Sequence, residues 1–128
     1  LYPGSIKYSL AVETARRRGA PALRLAHLHL RGSWCAREER NREAESYHQR
    51  EALRHFREAL AEGLSGIEAA VVAYLVGELY RRLGRFTEAL AAFEKVEEEA
   101  LPAWLRPGFH AMQECARLKD DTPQVFPR

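Results

Sequence analysis

Cysteine is scarce in this 128-residue sequence, and its two occurrences, Cys35 and Cys115, lie far apart. This spacing is typical neither of a disulfide framework nor of a CxxC metal site, so it favours a reducing cytoplasm. Long hydrophobic runs are also lacking, because the longest uncharged apolar stretch, Ala69 to Gly77, is much shorter than the roughly 20 residues that span a bilayer. We therefore expect a cytoplasmic protein without a membrane-spanning segment.

A large excess of charge of one sign is lacking as well, because the formal net charge is only +2. The local basic cluster Arg16 to Arg18 stands near the C-terminal end of a predicted helix, where cations are stabilising. Aromatic residues that could stack on bases are not interleaved with this cluster. These features argue against nucleic acid as a partner, and an RNA-binding helical repeat is kept as an alternative.

No stretch of the sequence alternates as a β-strand does, whereas apolar residues recur at helical steps against a 30% charged background. The sequence therefore predicts an all-α protein. Glycine and proline divide it into six helices, at about residues 5–18, 22–39, 42–62, 66–83, 87–99 and 107–119. Ser65 and Glu68 have the spacing of a capping box at the start of the fourth helix. Residues 120–128 are predicted to form a flexible tail.

Small and aromatic residues recur at fixed positions between residues 70 and 102. They are Gly77, Tyr80, Gly84, Ala89, Phe93 and Pro102. Gly77 and Ala89 are small where two helices cross closely, while Tyr80 and Phe93 fill the space on either side. Through this pattern the stretch resembles a tetratricopeptide repeat (TPR).

A second, degenerate repeat is predicted at about residues 24–62, with Trp34 and Tyr47 at aromatic positions and Arg31 where the glycine would stand. The resemblance implies a right-handed solenoid of about six antiparallel helices. It would form a single domain over residues 1–119, in which the helices at about 5–18 and 107–119 are the outer layers.

The order of segments is also similar to that of an uncharacterised bacterial family in which a cysteine-rich, zinc-ribbon-like N-terminal domain precedes TPR-like helices. The cysteine pairs of such a domain are not present in this sequence. Because the sequence starts at Leu1 without a methionine, we expect a fragment of a longer protein, whose remaining part would carry the metal.

In TPR proteins the first helices of successive repeats line a groove that holds a peptide or helix of a partner protein. The resemblance therefore implies a non-catalytic protein-binding scaffold. The groove positions are Leu25, Leu28, Val71, Tyr74, Glu78, Arg81 and Arg82, together with Gly32 and Cys35. The expected partner has an apolar anchor and an acidic flank that meets Arg81 and Arg82. The alternative is that these residues are solvated or covered by the sixth helix.

Self-association is a further alternative, in which the chain is an oligomerisation or structural domain of a larger protein. Trp104, Phe109 and Met112 would then cap the solenoid or form the seam of a homodimer.

The histidines do not have the spacing of a metal site. His27 and His29 are two residues apart and point in different directions, and His48 and His55 are two helical turns apart, about 10 Å along the axis. No Gly-rich phosphate loop or nucleophile motif accompanies the glutamate runs. We therefore expect no metal, no cofactor and no catalytic residue.

Overall fold

The computed structural model describes residues 4–124, and over that range it contains helices and no strand. The all-α class and the six predicted helices are confirmed. They are α1 (Gly4–Arg17), α2 (Ala22–Glu38), α3 (Arg42–Glu62), α4 (Gly66–Arg82), α5 (Phe86–Glu94) and α6 (Arg106–Arg117). No helix in this part of the chain is long and apolar enough to cross a membrane.

The chain divides into two compact units where the sequence predicts one domain. The N-terminal unit is Leu1–Glu62 and the C-terminal unit is Gly63–Arg128. The two predicted hairpins thus fall in different units, α2 and α3 in the first and α4 and α5 in the second.

The N-terminal unit is built by packing α1 on α2 and α2 on α3. Val12, Ala15, Leu25 and Leu28 form a buried apolar cluster between α1 and α2. On α2 and α3, Ala26, Ala36 and Ala52 are fully buried, and such small side chains let two helices approach closely. The helices α2 and α3 are joined by a short turn, and the Asn41 side chain accepts a hydrogen bond from the Ala44 amide at 3.0 Å, capping α3.

In the C-terminal unit, α4 and α5 form the hairpin that the repeat pattern predicts, with α6 packed on both. Gly84 adopts a positive φ of 75° in the turn, which a residue with a side chain rarely does. A Cβ atom on Gly77 would lie 2.4 Å from a ring carbon of Phe93, so the missing side chain is what allows this contact. Ala89 is fully buried.

Two local expectations are wrong. Ser65 occupies the N-cap of α4, but its side chain makes no capping hydrogen bond, so the predicted capping box does not form. The fifth helix ends at Glu94 rather than near residue 99. Two short 3-10 turns, Glu98–Ala100 and Ala103–Leu105, follow it and bring Leu101 into the core.

Candidate functional site

The predicted groove residues of α4 do not form an open surface. Tyr74 is only 8% exposed, and its ring lies 6.3 Å from the ring of Phe93 and 6.1 Å from that of Phe109. Burial raises the pKa of the Tyr74 hydroxyl to about 12. Val71 and Glu78 are half-buried. Tyr74 therefore belongs to the core of α4, α5 and α6.

Arg81 is fully buried and is satisfied within the chain. Its guanidinium holds both carboxylate oxygens of Glu78, at 2.9 and 2.6 Å. It also donates to the main-chain carbonyls of Asp120 and Thr122, both at 2.7 Å. Arg82 donates to the Asp121 carbonyl.

The segment after α6 therefore binds the two arginines for which an acidic partner was expected. This outcome corresponds to the alternative in which the groove positions are covered. The covering element is the start of the predicted tail rather than the sixth helix, and residues 125–128 lie outside the described residues.

The groove positions of α2 differ from those of α4. Leu25 and Leu28 are buried against α1, but Leu28 also forms the floor of a cleft of about 370 Å³ on the surface of α2. The lining residues are Pro21, Leu23, Arg24, His27, Leu28 and Arg31. Arg24 and Arg31 are exposed, and within residues 4–124 neither forms an ion pair. The cleft therefore combines an apolar floor with two free positive charges.

The aromatic residues of the predicted degenerate repeat are not buried. Trp34 is 47% exposed and Tyr47 is 45% exposed, whereas Tyr80 on α4 is 8% exposed. The Tyr47 ring lies against the rings of His29 and His48, which occupy the space between α2 and α3.

The expected seam of a homodimer is also largely internal. Phe109 and Met112 are 3% and 1% exposed and pack within the C-terminal unit, while Trp104 is 79% exposed. Only Trp104 of these three residues is free to contact a second copy.

A cluster of buried histidines in the N-terminal unit was missed by sequence reasoning. His29 projects from α2 towards α3, where His48 and His55 stand, and all three side chains are nearly inaccessible to solvent. The Nδ1 atoms of His29 and His48 are 2.9 Å apart. The rings of His29 and His55 stack with centroids 5.8 Å apart. His48 and His55 are two turns apart along α3, as the sequence predicted. His29 on α2 lies between them and contacts both rings.

A chain of hydrogen bonds assigns the proton positions in this cluster. Ser9 donates its hydroxyl hydrogen to the Ser5 carbonyl at 3.1 Å, so it can only accept from His48 Nε2, which lies 3.2 Å away. His48 Nδ1 is then the acceptor of the Nδ1 hydrogen of His29. This arrangement leaves the lone pair of His29 on Nε2. It also argues against Ser9 as a nucleophile, because His48 donates to Ser9 and is not its base.

Burial keeps these imidazoles neutral. It lowers the pKa of His29 from 6.5 to about 4, and the neighbouring His48 adds to this effect. Burial also lowers the pKa of His48, and that of His55 with help from the nearby Arg54 guanidinium. At neutral pH each ring therefore has a nitrogen lone pair.

Two ring nitrogens of the cluster are not satisfied by hydrogen bonds. His29 Nε2 and His55 Nδ1 are buried and have no hydrogen-bond partner within the described residues. The Glu58 carboxylate lies 3.5 Å from His55 Nδ1. A buried polar atom without a partner costs roughly 1–3 kcal/mol, so the pair is an uncommon feature in a protein interior.

Glycine at position 32 makes room for this cluster. Gly32 lies in the middle of α2, and a Cβ atom on it would lie 3.0 Å from the ring of His48. Glycine disfavours a helix interior by about 1 kcal/mol relative to alanine. A glycine in the middle of a predicted helix was therefore the sequence signal that could have indicated close packing of a ring against α2.

The fold and these sites define an all-helical protein of two compact helical units, with a basic cleft and a buried histidine cluster in the first. The family described as "Uncharacterized protein conserved in bacteria (DUF2225)" matches residues 2–103, so the chain belongs to this bacterial family. The expected similarity to an uncharacterised bacterial family is thereby confirmed, whereas its TPR and zinc-ribbon features stay predictions. No curated protein and no solved structure matches the chain.

Proposed function

We propose that the chain is a non-catalytic, TPR-like helical-hairpin scaffold that binds an acidic segment of a partner protein on the exposed face of α2. The observation that carries this proposal is the cleft of about 370 Å³ with Leu28 on its floor and Arg24 and Arg31 beside it. An apolar side chain of the partner fits the floor, and flanking carboxylates pair with the two guanidinium groups.

The hairpin of α4 and α5 supports the TPR-like part of the proposal. The close contact of Gly77 with Phe93 and the turn at Gly84 are the packing features that the resemblance implies. The proposed binding surface for the acidic flank is on α2 rather than on α4, where the sequence had predicted it. Arg81 and Arg82 of α4 donate to the segment after α6, whereas Arg24 and Arg31 of α2 are exposed. The partner chemistry stays an apolar anchor with an acidic flank.

The test is an array of acidic 12-residue peptides, each with one central leucine or phenylalanine, probed by fluorescence anisotropy. The test variant is Arg24→Glu with Arg31→Glu. The matched control is Arg42→Glu with Arg57→Glu, because these arginines are exposed on α3 and make the same change in charge. We expect the wild-type chain to bind such a peptide saturably and the test variant to bind it about tenfold or more weakly. Added salt should also weaken binding, and the control variant should retain it.

Two probes separate the alternatives. A single-stranded oligo-uridine RNA that binds more tightly than any peptide would favour the RNA-binding alternative, and a molar mass near twice 14.6 kDa by light scattering would favour the oligomerisation alternative. If no peptide distinguishes the test variant from the control, the proposed use of the α2 cleft is wrong.

A further inference from the structure

We propose that His29, Glu51 and His55 form a binding site for a divalent transition-metal ion, with Zn²⁺ as the best-matched ion. Each residue offers one ligand atom, and these atoms all lie within 4.8 Å of one another. The site is independent of the α2 cleft and does not rest on the proposed scaffold function.

The helices place these three residues together for a simple geometric reason. Glu51 and His55 are four residues apart on α3, so both face the same side, and His29 comes from the adjacent face of α2. His29 and His55 are 1% and 4% exposed, while Glu51 is half-buried at the edge of the cluster. The site thus has two buried ligands and one ligand that is partly exposed to solvent.

Each of the two histidines has one ring nitrogen with a lone pair that an ion could bind. His29 Nδ1 is committed to His48, which leaves Nε2. The Nε2 atom of His55 lies 3.3 Å from an Arg54 guanidinium nitrogen, which can only donate, so the lone pair of His55 is on Nε2 and becomes available to an ion when Arg54 moves away. A bound metal ion would take up the lone pair of His29, which otherwise stays unpaired in the interior.

The surroundings of His29 are those of a metal ligand. Ligating histidines commonly donate their other ring N–H to a second group that fixes the ring and its tautomer. His29 donates Nδ1–H to His48, and His48 is in turn held by Ser9 at 3.2 Å. The His29 ring is therefore oriented before any ion binds.

The donor set selects the metal. Two imidazoles and one carboxylate bind Zn²⁺ and leave a fourth position for water. Ligand atoms around tetrahedral Zn²⁺ stand roughly 3.3 Å apart, since each bond is about 2.0–2.1 Å long. The three atoms must therefore draw together, by about 1.5 Å at most.

The half-buried Glu51 side chain is the group that would make this movement. Arg54 now holds both of its carboxylate oxygens, at 3.1 and 3.0 Å. The Arg54 side chain is 53% exposed and has a second partner, Glu58, at 3.0 Å. It can keep that partner when Glu51 turns to the ion.

The test uses the untagged chain, freed of metal with a chelator and titrated with Zn²⁺ alone in competition with a chromophoric indicator. Glu51→Gln and His55→Gln remove one ligand each with little change in size. His110→Gln is the matched control, because His110 is an exposed histidine that pairs with Glu98 on the surface of the C-terminal unit. Circular dichroism confirms that each variant is folded.

We expect one equivalent of Zn²⁺ per chain, a rise in the unfolding temperature with Zn²⁺, and a loss of affinity of roughly tenfold or more in each ligand variant but not in the control. A titration followed by histidine ring NMR provides a second readout, in which Zn²⁺ shifts the ring signals of His29 and His55. Absence of saturable Zn²⁺ binding to the wild-type chain, or binding that both ligand variants retain, overturns the proposal.

Discussion

The replacement Gly77→Ala tests whether the close contact between α4 and α5 holds the C-terminal unit together. A Cβ atom at this position would lie 2.4 and 2.5 Å from two ring carbons of Phe93, about 1 Å or more inside the usual carbon–carbon separation of about 3.5–4.0 Å. The ring cannot move away easily, because Phe93 is 1% exposed and packs against Tyr74 and Phe109.

Two effects of opposite sign decide the magnitude. Overpacking a dense core destabilises by about 1–3 kcal/mol and occasionally more, whereas replacing glycine by alanine inside a helix stabilises by up to about 1 kcal/mol. Since the overlap is severe, we expect Gly77→Ala to lower the free energy of unfolding by about 2 kcal/mol. For a unit of this size the unfolding temperature should fall by roughly 10 °C.

The assay is thermal and urea unfolding followed by helical circular dichroism. Ala91→Gly, at an exposed position of α5, measures the helix-propensity effect alone, about 1 kcal/mol. Phe93→Leu should reduce the penalty of Gly77→Ala, because a smaller side chain leaves room for the added methyl group. If Gly77→Ala stabilises the protein, propensity outweighs the contact and the packing argument is refuted.

Three further changes have expected outcomes. Arg81→Met removes a buried guanidinium and leaves Glu78 unpaired, so we expect the free energy of unfolding measured in urea to fall by about 3–5 kcal/mol. Trypsin should also cleave faster at Lys119, and unchanged cleavage would contradict the role of Arg81 in holding the segment after α6. The folded-state pKa of the Tyr74 hydroxyl is raised from 10 to about 12, so its stabilisation is present below pH 10 and lost as pH rises towards 12. Tyr74→Phe should lack this loss and the corresponding late step in an ultraviolet titration, and an unaltered titration would show that Tyr74 is not buried. Asn41→Ala should cost about 1 kcal/mol of stability and Asn41→Ser much less, and equal losses would exclude a capping role.

The histidine cluster shows why the site was not predictable from the sequence. The separation of His48 and His55 along α3 follows from helix geometry alone, and it argued against a shared ion. What brings the cluster together is His29, whose position depends on how α2 packs on α3. A one-residue rotation of α2 would send this side chain elsewhere, and no spacing rule within one helix specifies that rotation.

Arg81 illustrates the same limit for the binding surface. The sequence predicted that Arg81 would meet an acidic partner in a groove, and nothing within α4 indicates that the Asp120 and Thr122 carbonyls cover it. The residues that cover a helix face lie about 40 positions away in the chain, so the outcome depends on tertiary packing.

The sequence by itself determined which stretches are helical and, except for the end of α5, roughly where the helices end, because apolar periodicity, glycine and proline act over a few residues. It also indicated a close approach of two helices at Gly77, where the structure places the Phe93 ring. The tertiary structure alone decided which polar side chains are buried and which are exposed. The physical reason is that burial, and with it hydrogen bonding and the pKa of a group, depends on neighbours contributed by other helices.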